Sequence, residues 1–349
     1  MNILIVKLGA IGDVIQTAAG VALVREEMGG ARIDWIAGKQ TSGLLECFGV
    51  SDRIFEIDEK RLFQEKYRLI YLALLMLKIA LWSSGKYDRI VIPQRDWKYK
   101  LLTMLVRAKK TVTLKNSVSS MAAYPQRSRT TEVYSLITDV EKATIDLPKG
   151  LKQIGQKLLN RDTGVSIQLP LSAVVLCPGG AKNLLRTDSL RRWPIENYKE
   201  LTRRLVGMKR NVVLIGGAED SWVSESFREY DVLDLIGKTN VMQAIQVMSI
   251  ADVVVAHDSG PLHMATITEA GLVALFGPTP ANAVVAFGRP RTIVLRAENR
   301  ISCSPCYDGR EYADCGDAVC MEYISVESVL GAITELEQVR GGHEPSFPG

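Results

Sequence analysis

The sequence predicts an α/β protein of two doubly wound domains, and three observations lead there. Short apolar runs rich in Val and Ile alternate with longer helical stretches, the pattern of parallel strands joined by crossover helices. The alternation lapses once, around Asp162-Thr163-Gly164 and Leu169-Pro170, and then restarts. The 349 residues, 47% of them hydrophobic, suffice for two cores of ordinary size. The expected division is 1–165, 166–340 and a tail, 341–349, rich in Gly and Pro and left outside any packed element. Two such domains facing each other across a cleft make the simplest architecture.

The first half opens with a strand, Asn2 to Val6, which runs into a glycine turn at Gly9 and Gly12 and then a helix, Asp13 to Met28. Strand Arg32 to Ile36, helix Thr41 to Phe48 and strand Arg53 to Ile57 follow. The apolar run Leu69 to Trp82 is interrupted by Lys78 and falls short of the ~20 residues of a spanning helix, so it reads as a helix packed on a sheet. Strand Arg89 to Pro93 and helix Trp97 to Arg107 come next; from Ser117 to Arg129 the periodicity fades into a polar, basic loop. A helix between Leu151 and Pro170 leads to the second half. There the strands are Ala173 to Cys177, Asn211 to Ile215, Val232 to Leu235, Asp252 to Ala256, Leu272 to Phe276 and Thr292 to Leu295. The intervening helices are Ile195 to Gly207, Glu219 to Tyr230, Val241 to Ser249 and Pro261 to Glu269, with a last helix from Val326 to Val339.

Charged residues make up 23% of the chain and the net charge is +4, which excludes wholesale disorder. The charge is uneven: between Arg61 and Arg129 a strong excess of Lys and Arg meets only Glu65, Asp88 and Asp96, so an acidic partner is expected on this half. No secretory signal opens the chain, which implies a cytoplasmic protein, with peripheral contact to a membrane through the basic half.

The most informative stretch is Asp258-Ser259-Gly260-Pro261-Leu262-His263, which leaves a buried strand and opens a helix. Strand ends of this kind hold phosphates, because the next helix offers unpaired N–H groups to an anion. Ser259 can cap and donate, Gly260 lets a ligand approach the backbone, and His263 adds a donor or a charge. Asp258 either contacts the ligand or orients the loop. His257 adjoins the motif and is expected to point into the sheet. Arg191 and Arg192 can meet a phosphate from another side, Arg in two-pronged fashion; a solvated basic pair at a helix start is the alternative. Glu219 follows Gly216-Gly217 at a strand end, where a carboxylate accepts hydrogen bonds from a ribose; Asp220 is the other candidate. Asp13, after the first glycine turn, either caps its helix or serves as a base.

Lys7-Leu8-Gly9-Ala10-Ile11-Gly12-Asp13, Arg191-Arg192-Trp193-Pro194, the Asp258 to His263 stretch and Leu275-Phe276-Gly277-Pro278-Thr279 together resemble, in order and spacing, glycosyltransferase family 9, the ADP-heptose:lipopolysaccharide heptosyltransferases. The resemblance runs from Met1 to about Val339. It implies a GT-B architecture of two Rossmann-like domains, the first binding the acceptor and the second the nucleotide sugar. It implies inverting transfer of heptose from ADP-L-glycero-β-D-manno-heptose to a hydroxyl of the lipopolysaccharide inner core, with no metal needed for the chemistry. Asp13 would then be the base. Gly12, Arg191, Arg192, Glu219, Asp258, Ser259, Gly260 and His263 would bind the donor and its phosphates. Where relatives carry Lys before the Trp-Pro pair, this chain has Arg191, and the stretch from Gly179-Gly180 to Arg191 is longer than in the family.

Cys303, Cys306, Cys315 and Cys320 fall in one short segment, whereas Cys47 and Cys177 stand apart. Clustered thiols in a cytosolic chain favour metal or redox chemistry over structural disulfides, so four thiolates here could hold a structural Zn or Fe, while a quartet without metal is the leading reading. Two other functions fit parts of the sequence. A GT-B transferase could use another nucleotide sugar or a protein acceptor; a nucleic-acid-binding protein could combine the basic half with a zinc module. The second lacks any recognition motif, so no nucleic-acid partner is expected.

Overall fold

The computed structural model describes residues 1–63, 68–83, 85–94, 98–114, 128–140, 145–161, 169–170, 172–181, 189–285, 288–297, 301–307 and 312–340. The chain divides into two compact units, Met1–Arg161 and Asp162–Gly349.

The first unit is built on five parallel strands: β1 (Asn2–Val6), β2 (Arg32–Gly38), β3 (Arg53–Ile57), β4 (Tyr87–Ile92) and β5 (Ala108–Thr113). Their order across the sheet is β3-β2-β1-β4-β5. β1 sits centrally, its residues Ile3 to Val6 fully buried, because side chains alternate between two covered faces. Leu4 and Val6 join a core with Leu75 and Ile79 of α4 (Arg68–Trp82) and with Tyr99 and Leu102 of α5 (Lys98–Leu102). α1 (Ile11–Glu27) packs against α6 (Arg129–Thr138) and α7 (Leu147–Leu159). Two shorter helices, α2 (Ser42–Phe48) and α3 (Glu59–Phe63), complete the described helices of this unit.

The structure corrects the expected helix Trp97 to Arg107, which ends at Leu102 and gives way to β5. As an edge strand with Lys109 and Lys110 exposed, β5 offers no apolar run to read. α6 was hidden beside the basic stretch; it is capped by the Ser128 hydroxyl, which accepts the Thr131 N–H at 3.1 Å. Much of the basic segment, 115–127, lies outside the described residues. Several of the other cations are paired within the fold: Lys109 with Asp88 at 2.7 Å, and Lys110 and Arg89 with Asp139 at 2.8 and 3.3 Å.

The second unit carries six parallel strands: β6 (Ala173–Cys177), β7 (Asn211–Leu214), β8 (Val232–Asp234), β9 (Val253–His257), β10 (Gly271–Phe276) and β11 (Thr292–Arg296). Their order, β11-β10-β9-β6-β7-β8, is that of a six-stranded dinucleotide-binding sheet, and the first unit repeats it without the sixth strand. The helices are α8 (Ile195–Gly207), α9 (Ser221–Ser226), α10 (Val241–Ile250), α11 (Gly260–Thr266), α12 (Val319–Glu322) and α13 (Val326–Arg340). The expected helix Glu219 to Tyr230 is a 3₁₀ turn, Ala218–Asp220, followed by the short α9. Trp193, 1% exposed, anchors α8: its indole N–H donates to the Ile324 carbonyl at 2.8 Å, and its ring meets Tyr198 edge-on at 4.8 Å.

Candidate functional site

Each sheet reverses its strand order once, between β1 and β4 in the first unit and between β6 and β9 in the second. Loops diverge at such a point and leave a crevice beyond the carboxyl ends of the strands. The sequence-predicted residues gather at these two places.

In the first unit, the loop after β1 is tied to its neighbours on both sides. The Lys7 carbonyl accepts the Trp35 indole N–H at 3.0 Å, and the Leu8 carbonyl accepts the Thr41 hydroxyl at 2.6 Å. Beyond β4, the Gln94 amide reaches the Gly9 carbonyl at 3.4 Å. The N-cap of α1 is Ala10, so Asp13 lies in the first turn and is not the capping residue. Its carboxylate accepts from the Lys7 ammonium at 2.7 Å; that lysine side chain is 3% exposed and the aspartate 51%. A buried cation therefore holds one oxygen of a carboxylate that is presented to solvent. Burial of the ammonium fixes the geometry, and the ion pair orients the carboxylate.

Sequence reasoning missed two residues here. Lys7 is one. The other is Glu59, whose carboxylate fills the space that Gly9 and Gly38 leave: a Cβ on Gly38 would lie 2.8 Å from the Leu8 carbonyl oxygen and 2.7 Å from Glu59 Cδ. Burial pushes the Glu59 carboxyl up, the Lys7 charge opposes this, and Asp58 adds to it. Glycines on two separate strand ends were the available signal, since they mark close approach.

In the second unit, three strand-end loops are knotted together by side chains. After β6, Gly180 adopts φ 83°, and a Cβ there would come within 3.2 Å of Ser259 Cβ after β9. Only glycine suits both demands. Asp220, 3% exposed, accepts the Gly180 N–H at 2.8 Å and the Gly217 N–H at 2.9 Å, joining the loops after β6 and β7. The adjacent Glu219 is exposed. Of the two carboxylates proposed for ribose, Asp220 is thus committed to backbone, and Glu219 faces solvent beside Gly217.

Arg191 pairs with Asp258 at 3.2 Å, their side chains 17% and 8% exposed. Arg192 donates twice to the Gly180 carbonyl, at 2.9 and 2.7 Å, and lies over the Trp222 ring at 5.4 Å. The phosphate-binding candidates therefore also bind one another, with Arg192 holding the loop after β6. Ser259 is the N-cap of α11, but the expected side-chain cap is not made: its hydroxyl donates to the His257 carbonyl at 3.0 Å. Gly260 opens that short helix and His263 is its fourth residue; Pro261 has no N–H to offer, and the Leu262 N–H donates to the Ser259 carbonyl at 3.1 Å. His257 points into the protein as expected; it is fully buried, its Nδ1 lies 3.3 Å from the Tyr198 hydroxyl, and burial pushes its pKa down to about 3. The far end of α11 is held by Arg289, a residue the sequence did not mark. Its guanidinium donates to the carbonyls of Ala265, Thr266, Thr268 and Ala270.

The four clustered cysteines come together at the end of β10. A Cβ on Gly277 would strike Cys320 Sγ at 2.7 Å, and the Cys306 N–H donates to the Pro278 carbonyl at 3.0 Å. Burial, then the nearby Cys306, Cys315 and Cys303, push the Cys320 thiol up. Among the described residues no three His, Cys, Asp or Glu form a group able to hold a metal ion. The quartet in this arrangement does not fit the candidate zinc or iron: Cys315 Sγ turns to the Asp317 carbonyl at 2.7 Å.

Residues 81–313, well over half of the chain, match the family model described as glycosyltransferase family 9 (heptosyltransferase). Among curated relatives, lipopolysaccharide heptosyltransferase 2 of Salmonella typhimurium is 31% identical over 154 residues, covering 40% of this chain and 42% of that protein. Lipooligosaccharide heptosyltransferase 2 of Haemophilus influenzae is 28% identical over 152 residues, 42% of each chain. The aligned region thus spans about two fifths of these relatives. Among solved structures, Escherichia coli heptosyltransferase WaaC with ADP superimposes with a TM-score of 0.68 at 18% identity, over 96% of this chain and 100% of that one. A glycosyl transferase family 9 protein of Veillonella parvula gives 0.68 at 16% identity, over 97% of each. The iron-containing dodecameric glycosyltransferase TibC of enterotoxigenic E. coli gives 0.58 at 13% identity, over 97% of this chain and 76% of that one. With a family match that runs through both sheets, and solved relatives built on the same pair of parallel sheets, this chain is a member of glycosyltransferase family 9 with the doubly wound units of the GT-B architecture.

Proposed function

We propose that this protein transfers heptose, with inversion, from ADP-L-glycero-β-D-manno-heptose to a hydroxyl of the lipopolysaccharide inner core. The observation that carries the reading is the solvent-facing Asp13 carboxylate, held at 2.7 Å by a buried lysine at the strand-order reversal of the first sheet. A hydroxyl placed against its second oxygen would give up its proton as the hydroxyl oxygen bonds to the anomeric carbon. The bond from that carbon to the phosphate oxygen breaks, and ADP departs with the electron pair. Arg191, the Gly260 N–H at the start of α11 and His263 would meet the growing charge, and Glu219 the ribose. The mechanism uses this chain's own cations and asks for no metal. Relatives named for ADP and ADP-2-deoxy-2-fluoro heptose complexes share the fold, which supports an ADP-linked donor. The first unit would take the lipid-linked acceptor and the second the donor, with the protein at the inner membrane as a peripheral partner. No helix among the described residues is long and apolar enough to cross a membrane.

The test is release of ADP from ADP-heptose, with UDP-glucose and UDP-N-acetylglucosamine as controls, in the presence and absence of heptose-deficient lipopolysaccharide. Wild type should release ADP only with acceptor, and Asp13→Ala should bind ADP but not turn over. Turnover of a UDP-sugar instead, or full activity of Asp13→Ala, would overturn the reading.

A further inference from the structure

The helix α4 carries apolar side chains on both sides. Inward, Leu75 and Ile79 are 4% and 0% exposed and belong to the core beneath β1 and β4. Outward, Leu69, Ile70, Leu74, Leu77 and Leu81 are 74%, 62%, 52%, 53% and 78% exposed. At roughly 100° per residue these five and the exposed Ala73 occupy one half of the helix circumference, a stripe about 18 Å long. Single exposed leucines are ordinary. A contiguous stripe of five is a surface that something covers.

The surrounding charge indicates what covers it. Lys78 is exposed at the edge of the stripe, and Lys98 and Lys100 are exposed on α5, which packs beside α4. Arg61 of α3 lies over the Tyr71 ring of α4 at 5.1 Å. Neither α4 nor the stretch from Lys98 to Thr113 contains a carboxylate. A second copy of this face would therefore set cations against cations with no counter-charge. A bilayer surface with anionic headgroups supplies apolar depth and negative charge together. Fifteen helical residues reach only about 22 Å, short of the ~30 Å hydrocarbon core, so the helix would lie along the surface.

We propose that the outward face of α4 is an interfacial helix that seats the first unit on an anionic bilayer, with its leucines among the acyl chains and Lys78, Lys98 and Lys100 at the headgroups. The inference deepens the proposed inner-membrane contact and rests on that reading for its partner, but lipid binding is measured with no sugar present. Full-length protein is centrifuged with vesicles of phosphatidylcholine alone and of equal parts phosphatidylcholine and phosphatidylglycerol. Wild type should sediment with the anionic vesicles. The double variant Leu74→Glu/Leu77→Glu should bind them about tenfold less or worse. Lys78→Glu/Lys100→Glu should bind them severalfold less, with a difference that shrinks in high salt. Both should melt like wild type and transfer heptose normally to detergent-dispersed acceptor, because these side chains lie outside the core and the proposed site. Equal binding by wild type and the leucine variant overturns the proposal. So does absence of wild-type binding, or a wild-type dimer that the leucine variant dissolves, which would make the face a self-association surface. A wild type that transfers heptose but does not bind vesicles refutes this proposal alone; vesicle binding without turnover of ADP-heptose refutes only the reaction.

Discussion

Glu219 and Asp220 are adjacent carboxylates to which the structure gives opposite work, and a pair of substitutions separates them. Asp220 is 3% exposed and accepts two backbone N–H groups, at 2.8 and 2.9 Å, from loops on different strands. A hydrogen bond to an ionised acceptor contributes about 1.5–3 kcal/mol, and a donor left unsatisfied in the interior costs a comparable amount. Asp220→Ala removes both bonds and opens a void beside Gly179, where a Cβ would now lie 2.3 Å from Asp220 Cγ. The expected loss is about 3 kcal/mol or more. Glu219→Ala should change stability by less than about 0.5 kcal/mol, as for an exposed side chain without a structural role. If Glu219 binds the ribose, that variant should weaken ADP binding about tenfold, or roughly 1.4 kcal/mol. Urea denaturation followed by circular dichroism gives the first quantity and calorimetric titration with ADP the second. An Asp220→Ala protein as stable as wild type, or a Glu219→Ala protein destabilised by several kcal/mol, would refute the division of roles.

Other substitutions test the rest of the two loop clusters. Burial, then the Arg191 charge, hold His257 near a pKa of about 3 against an unfolded value of about 6.5. As pH falls, the unfolded chain takes the proton first. Stability is therefore full above about pH 6.5 and declines by about 1.4 kcal/mol per pH unit down to about pH 3. His257→Asn removes this slope, so its stability should fall about 2 kcal/mol less than wild type between about pH 7 and about pH 5, read from urea midpoints. The Glu59 carboxyl is raised, which makes its ionisation cost stability as pH rises past the ordinary glutamate range. Glu59→Gln should accordingly raise the melting temperature at neutral pH and leave it unchanged near pH 4, as scanning calorimetry would show. Arg289→Met removes a buried donor from four carbonyls at the end of α11 and should cost about 3–5 kcal/mol in urea denaturation, with Arg289→Lys recovering only part.

The architecture was legible in the sequence because both sheets are parallel and covered on each side. Strands such as Ala173 to Cys177 then read as unbroken apolar runs, and the strand-end motifs follow them at once. The same logic explains the failures. β5 is an edge strand with exposed lysines, and α9 is too short to carry a helical period, so neither left a pattern. By itself the sequence determined the class of fold, the places where its loops converge, and the candidates Asp13, Arg191, Glu219, Asp258, Ser259, Gly260 and His263. Only the tertiary structure decided how the side chains at those places divide their work. Lys7 rather than helix capping holds Asp13, Asp220 rather than Glu219 ties the glycine turns, Arg192 spends itself on the Gly180 carbonyl, and Ser259 turns back to His257. The reason is physical: periodicity and spacing record which face of the chain is buried, whereas a polar side chain chooses its partner from atoms that distant segments bring within about 3 Å.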